Sequence, residues 1–117
     1  MTPSTEEIPR ESWSTYFEDL DRRLEAPAVT VEVDGEDIGA QRLAEGVRLA
    51  GISYDHKDDV VVIGFGGGSA EDHEHVISAP KRIFVAAGDD GPTAIDVEDA
   101  EGQKTIVRIE GSLNPGA

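Results

Sequence analysis

Two histidines separated by one residue are the strongest chemical signal in this sequence. His73 and His75 lie in "GFGGGSAEDHEHVI", residues 64–77. Residues two apart on a β-strand project from the same face, so both imidazoles can bind one zinc or nickel ion if a third ligand comes from elsewhere. Asp72 and Glu74 would point to the opposite face. A metal site on His73 and His75 is therefore one hypothesis, and a surface pair of imidazoles, plain or pH-responsive, is the simpler interpretation.

The glycine run before the histidines does not fit a phosphate-binding loop. Gly64-x-Gly66 is followed by Ser69 where the dinucleotide motif needs its third glycine, and residues 70–80 predict an acidic turn and a strand rather than a helix. "GGSAE" lacks the second glycine of a nucleophile elbow. A calcium loop starting at Asp55 would lack its required glycine and glutamate. The sequence thus predicts no catalytic residue and no cofactor beyond zinc or nickel as the alternative, and it leaves enzymatic activity open while favouring a non-enzyme.

The charge balance limits the partners that this chain can bind. Its 117 residues include 25 acidic and 10 basic side chains, for a net charge of −15. Such a field repels nucleic acids and anionic membranes, so we expect neither as a direct partner. The scatter of the carboxylates favours a solubilising surface, including adaptation to high salt in a halophile. Cation binding and an acidic decoy for a nucleic-acid-binding protein remain alternatives.

The cellular compartment is predicted from what the sequence lacks. There is no cysteine, which excludes disulfides and thiolate metal sites. No apolar run approaches the roughly 20 residues of a membrane span, and the first residues lack the pattern of a secretory signal. We therefore expect a cytoplasmic protein.

One helix is predicted near the N-terminus. Pro9 suits a first helical turn, and Trp13, Phe17, Leu20 and Leu24 recur at spacings of four, three and four, which places them on one face. This apolar stripe is typical of core packing.

After residue 27 the pattern changes to the period of a β-strand. Eight short strands are predicted, with Asp34-Gly35 as a hairpin turn and Gly46 as a second turn. Their spacing leaves no room for crossover helices, so we expect antiparallel pairing.

These elements predict an α+β fold, in which the amphipathic helix packs on a mostly antiparallel meander of about eight strands that forms a partly closed barrel. We assign residues 1–7 to a disordered tail, 8–111 to a single domain and 112–117 to a loose C-terminal tail.

Several segments of the sequence resemble a known family. They are "EIPRESWSTYFEDL" (7–20), "VTVEVDGEDIGAQ" (29–41), "LAGISYDHKDDVVVIGFG" (49–66), "HVISAPKRIFV" (75–85) and "IDVEDAEGQKTIVRIEG" (95–111). In this order they resemble domain of unknown function 5335, a family of small prokaryotic proteins. The resemblance implies a stand-alone domain and carries no catalytic residue. We expect an uncharacterised acidic module that binds a protein partner or a small ligand, with a homodimer as one form of that partner.

Overall fold

Eight strands and one short helix make up the computed structural model. It describes residues 4–23, 25, 27–35, 39–67, 70–88 and 91–110. The strands are β1 (Ser4–Glu7), β2 (Ala28–Gly35), β3 (Gly39–Asp55), β4 (Val60–Gly67), β5 (Ala70–Ser78), β6 (Pro80–Gly88), β7 (Gly91–Asp99) and β8 (Lys104–Glu110). A 3-10 turn, Arg10–Ser12, leads into the helix α1, Trp13–Arg23.

All strands belong to one antiparallel sheet. Their order is β1-β6-β7-β8-β2-β3-β4-β5. Two sequential runs, β2 to β5 and β6 to β8, are joined because β8 pairs with β2. A single residue, Ala79, joins β5 to β6, so the end of the edge strand β5 lies next to the start of β6 although the sheet order puts no ladder between these two strands.

The long strand β3 connects the two parts of the sheet. Its first half, residues 39–48, pairs with β2, and its second half, residues 48–55, pairs with β4. Irregular pairing at residues 49–51 and near residue 31 marks the change. Gly46 has a left-handed φ of 66° but stays inside the strand. The predicted turn at Gly46 is therefore wrong, and the two strands expected there are one strand of 17 residues.

One hydrophobic core fills the concave side of the sheet. From α1 it receives Trp13, Phe17 and Leu20, all about 1% exposed. Strands β2 to β8 complete it, most of them through alternate residues such as Val61, Ile63 and Phe65 of β4, since residues i and i+2 share a face. Leu24, the fourth residue of the predicted stripe, lies outside the described residues.

The helix covers an exposed edge of the sheet as well as the core. The second half of β3 pairs with β4 on one side only. On its other side the Asp21 carboxylate of α1 accepts a hydrogen bond of 3.0 Å from the Ile52 N–H. This contact satisfies a backbone donor that would otherwise be open to strand pairing.

The β3–β4 turn, the start of β6 and the N-terminal segment meet at one end of the molecule. The Arg10 guanidinium lies 4.4 Å from the centre of the Trp13 ring and donates hydrogen bonds to Tyr54, Asp59 and the Pro80 carbonyl. Tyr54 donates its own hydroxyl to Asp59 at 2.7 Å. Arg10 thereby ties the start of α1 to the β3–β4 turn and to the beginning of β6.

This architecture corrects the predicted fold class. The protein is mostly β with one short helix, and α1 packs chiefly against β3 rather than across a meander, so the α+β description is wrong. The sheet is open, because the edge strands β1 and β5 form no ladder with each other in the described part of the chain. Partial closure into a barrel is therefore wrong too. The sequence pattern could not show this, since strand alternation is the same in open and closed sheets.

The structure describes part of one of the two predicted tails. Ser4–Glu7, which falls in the predicted disordered tail, is a strand paired with β6. The predicted C-terminal tail, 112–117, lies outside the described residues.

Among the described helices none has the length and apolar character needed to cross a membrane.

Candidate interaction surface

The structure places His73 and His75 on the same face of β5. His73 is exposed and its ring lies 5.8 Å from that of Phe65 on β4. His75 is half-buried, and its Nε2 lies 3.4 Å from the Thr105 hydroxyl of β8. Burial alone lowers the pKa of His75.

A third ligand for the predicted metal site is not evident near these histidines. Within the described residues, no group of three or more histidine, aspartate and glutamate side chains is arranged to hold a metal ion. Across the sheet, His75 contacts the Thr105 hydroxyl. The metal site on His73 and His75 therefore stays a prediction that rests on their shared face.

A different side chain, Asp96, has the most unusual polar environment in the described structure. Asp96 lies on β7 between Ile95 and Val97, which point into the core, so its carboxylate projects from the convex face. Its direct neighbours across the strands are Phe84 on β6 and Ile106 on β8. All three side chains are half-buried.

One oxygen of this carboxylate is buried without a hydrogen bond. Asp96 Oδ1 has no partner among the described residues. A buried polar atom left unsatisfied costs about 1–3 kcal/mol, and native proteins rarely keep one. Burial raises the pKa of Asp96; Lys104 opposes this shift and Glu98 adds to it.

Three cationic side chains surround the Asp96 carboxylate on the neighbouring strands β6 and β8. They belong to a set of nine outward side chains, three from each of β6, β7 and β8. The strand register places Arg82 and Lys104 beside Glu98, and Arg108 beside Ala94, each one step from Asp96. Arg108 binds Glu32 at 3.0 Å. Among the described residues Arg82 and Lys104 form no hydrogen bond and no ion pair within 4.0 Å. This set of nine side chains therefore contains an acceptor without a hydrogen bond, Asp96 Oδ1, and two cationic donors without an ion pair, Arg82 and Lys104, among the described residues. We call it the Asp96 face: Phe84, Asp96 and Ile106 with Ala86, Ala94, Arg108, Arg82, Glu98 and Lys104.

The convex sheet surface around the Asp96 face has nearly balanced charge. Half of the chain's ten basic side chains lie on it. The outward positions of β1, β2, β6, β7, β8 and residues 39–48 of β3 combine these five with seven acidic side chains. The basic residues are Arg42, Arg48, Arg82, Lys104 and Arg108; the acidic ones are Glu7, Glu32, Asp34, Glu45, Asp96, Glu98 and Glu110. Acidic side chains thus exceed basic ones by only two in this region, whereas the rest of the same sheet face adds Asp55 and Glu74.

A second candidate is the cleft between α1 and the end of β3. It has a volume of about 500 Å³ and includes Glu18, Asp21, Asp55 and His56 in its lining. Two of the three carboxylates already serve the fold. Asp21 accepts the Ile52 N–H, and Asp55 accepts the N–H groups of the turn that follows it. The other two of these four side chains, Glu18 and His56, are exposed. This cleft therefore offers a weaker argument for a ligand than the Asp96 face.

Sequence reasoning did not find Asp96. Its neighbours in "TAIDVED" mark it only as the outward position of an alternating strand, as they do Thr30 or Glu32. What sets it apart is the pair Phe84 and Ile106, which strand pairing brings from 12 residues before it and 10 residues after it. Those apolar residues sit at outward strand positions, and that exception to alternation was the available signal.

The fold and this surface define a small, mostly β protein with a partly apolar sheet face and no recognisable catalytic centre in its described residues. Residues 4–115 match the model of a family of unknown function, DUF5335, and the chain belongs to that family. It is 42% identical over 110 residues to an uncharacterized protein of Aquifex aeolicus (strain VF5), covering 94% of this chain and 96% of that protein. The predicted family is therefore confirmed. No solved structure matches the chain significantly.

Proposed function

We propose that this protein is a non-catalytic interaction module that binds a protein partner through the Asp96 face. The observation that carries the proposal is the buried Asp96 Oδ1, which has no hydrogen-bond donor among the described residues. A partner that places an N–H or ammonium group there would remove the cost of that unsatisfied oxygen. Binding of this kind uses a group whose environment is unfavourable in the free protein.

The surroundings of Asp96 support a protein rather than a small molecule as the partner. The Asp96 face is an open sheet surface, with half-buried Phe84 and Ile106 at its centre and exposed charges at its corners. Protein interfaces have the same arrangement of an apolar centre and a polar rim. Small-molecule sites are usually concave, and the described clefts lie elsewhere.

Photo-crosslinking tests this proposal in cells of the organism that encodes the protein. Benzoylphenylalanine replaces Ile106 in the Asp96 face in one variant and the 51% exposed Val76 of β5 in the matched control. We expect a protein adduct from position 106, none from position 76, and loss of the adduct when Asp96→Lys is added. Absence of an adduct at position 106, or equal adducts at both positions, would reject this surface as the binding site.

A further inference from the structure

We infer that the partner bound by the Asp96 face is a second copy of this chain, in a two-fold symmetric pair. This inference rests on the proposed function and adds the identity of the partner. It depends on finding, on one surface, an acceptor that lacks a donor and cationic donors that lack an acceptor. Asp96 lacks a donor, and Arg82 and Lys104 lack an acceptor, among the described residues.

Within one chain, Asp96 forms no ion pair with Arg82 or Lys104. Lys104 lies close enough to oppose the raised pKa of Asp96, but the two form no ion pair within 4.0 Å. In a symmetric pair every contact occurs twice, so a cation of each copy can reach the carboxylate of the other. Each copy then supplies the group that its partner needs.

The distribution of charge favours this surface for self-association. Two chains of net charge −15 repel each other, and the repulsion is weakest where acidic and basic side chains balance. Around the Asp96 face, from β1 through β6, β7, β8 and β2 to residues 39–48 of β3, the convex surface has five basic and seven acidic side chains. Contact through it keeps the strongly acidic remainder of the two molecules on the outside.

The apolar centre supplies the area that such a contact must bury. Phe84 and Ile106 flank Asp96 directly, with Ala86 and Ala94 in the next row. Covering these side chains with those of a second sheet would also remove water from the new ion pairs and strengthen them.

Sedimentation equilibrium of purified protein tests the inference, in about 0.5 M potassium chloride to screen long-range repulsion. We expect a reversible dimer for the natural sequence. Asp96→Asn should weaken dimerisation by about tenfold or more, because it removes the charge from both reciprocal contacts. The exposed turn variant Lys57→Asp should leave the dimer intact, whereas Lys104→Asp, with the same change of net charge, should weaken it.

A charge-exchange pair makes the test specific to the reciprocal contact. Asp96→Lys and Lys104→Asp should each prevent self-association, and an equimolar mixture of the two variants should form a heterodimer. Circular dichroism checks that each variant is folded. A strictly monomeric natural protein at concentrations up to about 1 mM would overturn the second copy as the partner. So would failure of the mixture to associate.

The two proposals fail separately. A crosslinked peptide from this chain itself supports the second copy. A peptide from another protein at position 106 supports the interaction function and rejects the second copy. No adduct at position 106 rejects both.

Discussion

His75 on β5 and Thr105 on β8 meet across the open side of the sheet, with 3.4 Å between Nε2 and Oγ1. The two strands share no ladder. This side-chain contact is therefore a direct polar link between the last strand of one half of the sheet and the opposite half. It also gives a polar partner to Thr105, which is 2% exposed and is the one buried polar residue among the described side chains.

We expect the stability of the protein to depend on pH through His75. Burial lowers the pKa of His75 in the folded state, so the unfolded chain binds its proton first as pH falls. The contribution of neutral His75 is fully present above the unfolded pKa of about 6.5 and is lost as pH falls towards the lower folded value. The resulting slope cannot exceed about 1.4 kcal/mol per pH unit.

Urea unfolding between about pH 5 and pH 8 measures this dependence. His75→Gln should flatten the decline of stability on the acidic side, because glutamine does not titrate. His56→Gln, in the exposed β3–β4 turn, is the matched control for removal of an imidazole. The same slope in the natural protein and in His75→Gln would contradict the prediction.

How far the sequence predicts this structure depends on which contacts are local. The α1 stripe of Trp13, Phe17 and Leu20 and the alternation in β2 follow from local periodicity, and both place their apolar residues in the core as expected. The sheet order, the single strand spanning Gly46 and the open edges depend on pairing between distant segments. No local pattern distinguishes those alternatives.

The same distinction applies to the candidate sites. His73 and His75 could be placed on one face because strand geometry fixes residues two apart. Asp96 could not be singled out, since its burial depends on Phe84 and Ile106, which no motif links to it. Sequence motifs identify residues that act together locally, whereas a surface assembled from three strands requires the register.

The carboxylate of Asp21 should protect the edge of β3. Asp21→Ala leaves the Ile52 N–H without its acceptor, which should cost about 1–2 kcal/mol of unfolding free energy. Amide hydrogen exchange of Ile52 should accelerate. Asp21→Asn keeps an acceptor oxygen and should restore much of the protection, and Glu18→Ala on the same helix controls for the loss of a charge. Unchanged exchange at Ile52 in Asp21→Ala would show that the contact is not protective.

Arg10 should contribute to stability despite its exposed ion pair. The salt bridge to Asp59 has side chains about half exposed and is worth little by itself. The hydrogen bond to the Pro80 carbonyl is part-buried, and the guanidinium stacks on Trp13. Arg10→Met should therefore cost about 1 kcal/mol in urea unfolding, chiefly through the lost hydrogen bonds. Arg22→Met, at the 76% exposed side chain on α1, should cost less, and equal losses would contradict this account.

The metal prediction has a direct calorimetric test. Two imidazoles on one strand face form at most a two-residue protein site, so we expect weak binding of nickel or zinc rather than the tight binding of a three- or four-ligand centre. Titration of the metal-free protein should release heat that His73→Ala/His75→Ala abolishes. His56→Ala should retain it. No heat at millimolar metal, or heat that survives the double substitution, would remove this site from consideration.

Asp96 should lower the stability of the isolated chain, as expected for a residue kept for binding rather than folding. Burial raises its folded pKa, so its favourable contribution belongs to the protonated form. That contribution is present below the unfolded pKa of about 3.9 and is lost as pH rises through the folded value. At neutral pH the charged carboxylate is therefore a net cost. Asp96→Asn removes the charge while keeping the shape, and should raise the unfolding free energy of the monomer by about 0.5–2 kcal/mol at pH 7.

The unfolding free energies of the natural protein and Asp96→Asn must be compared at a concentration where both proteins are monomeric. Dimerisation would otherwise stabilise the natural sequence by mass action. Glu101→Gln, in the exposed β7–β8 turn, controls for the general loss of one negative charge from an acidic chain. A gain confined to Asp96→Asn, together with weaker self-association, would separate the role of Asp96 in binding from any role in folding. A loss of stability on Asp96→Asn would instead assign this carboxylate to the fold and withdraw the observation on which the interaction surface rests.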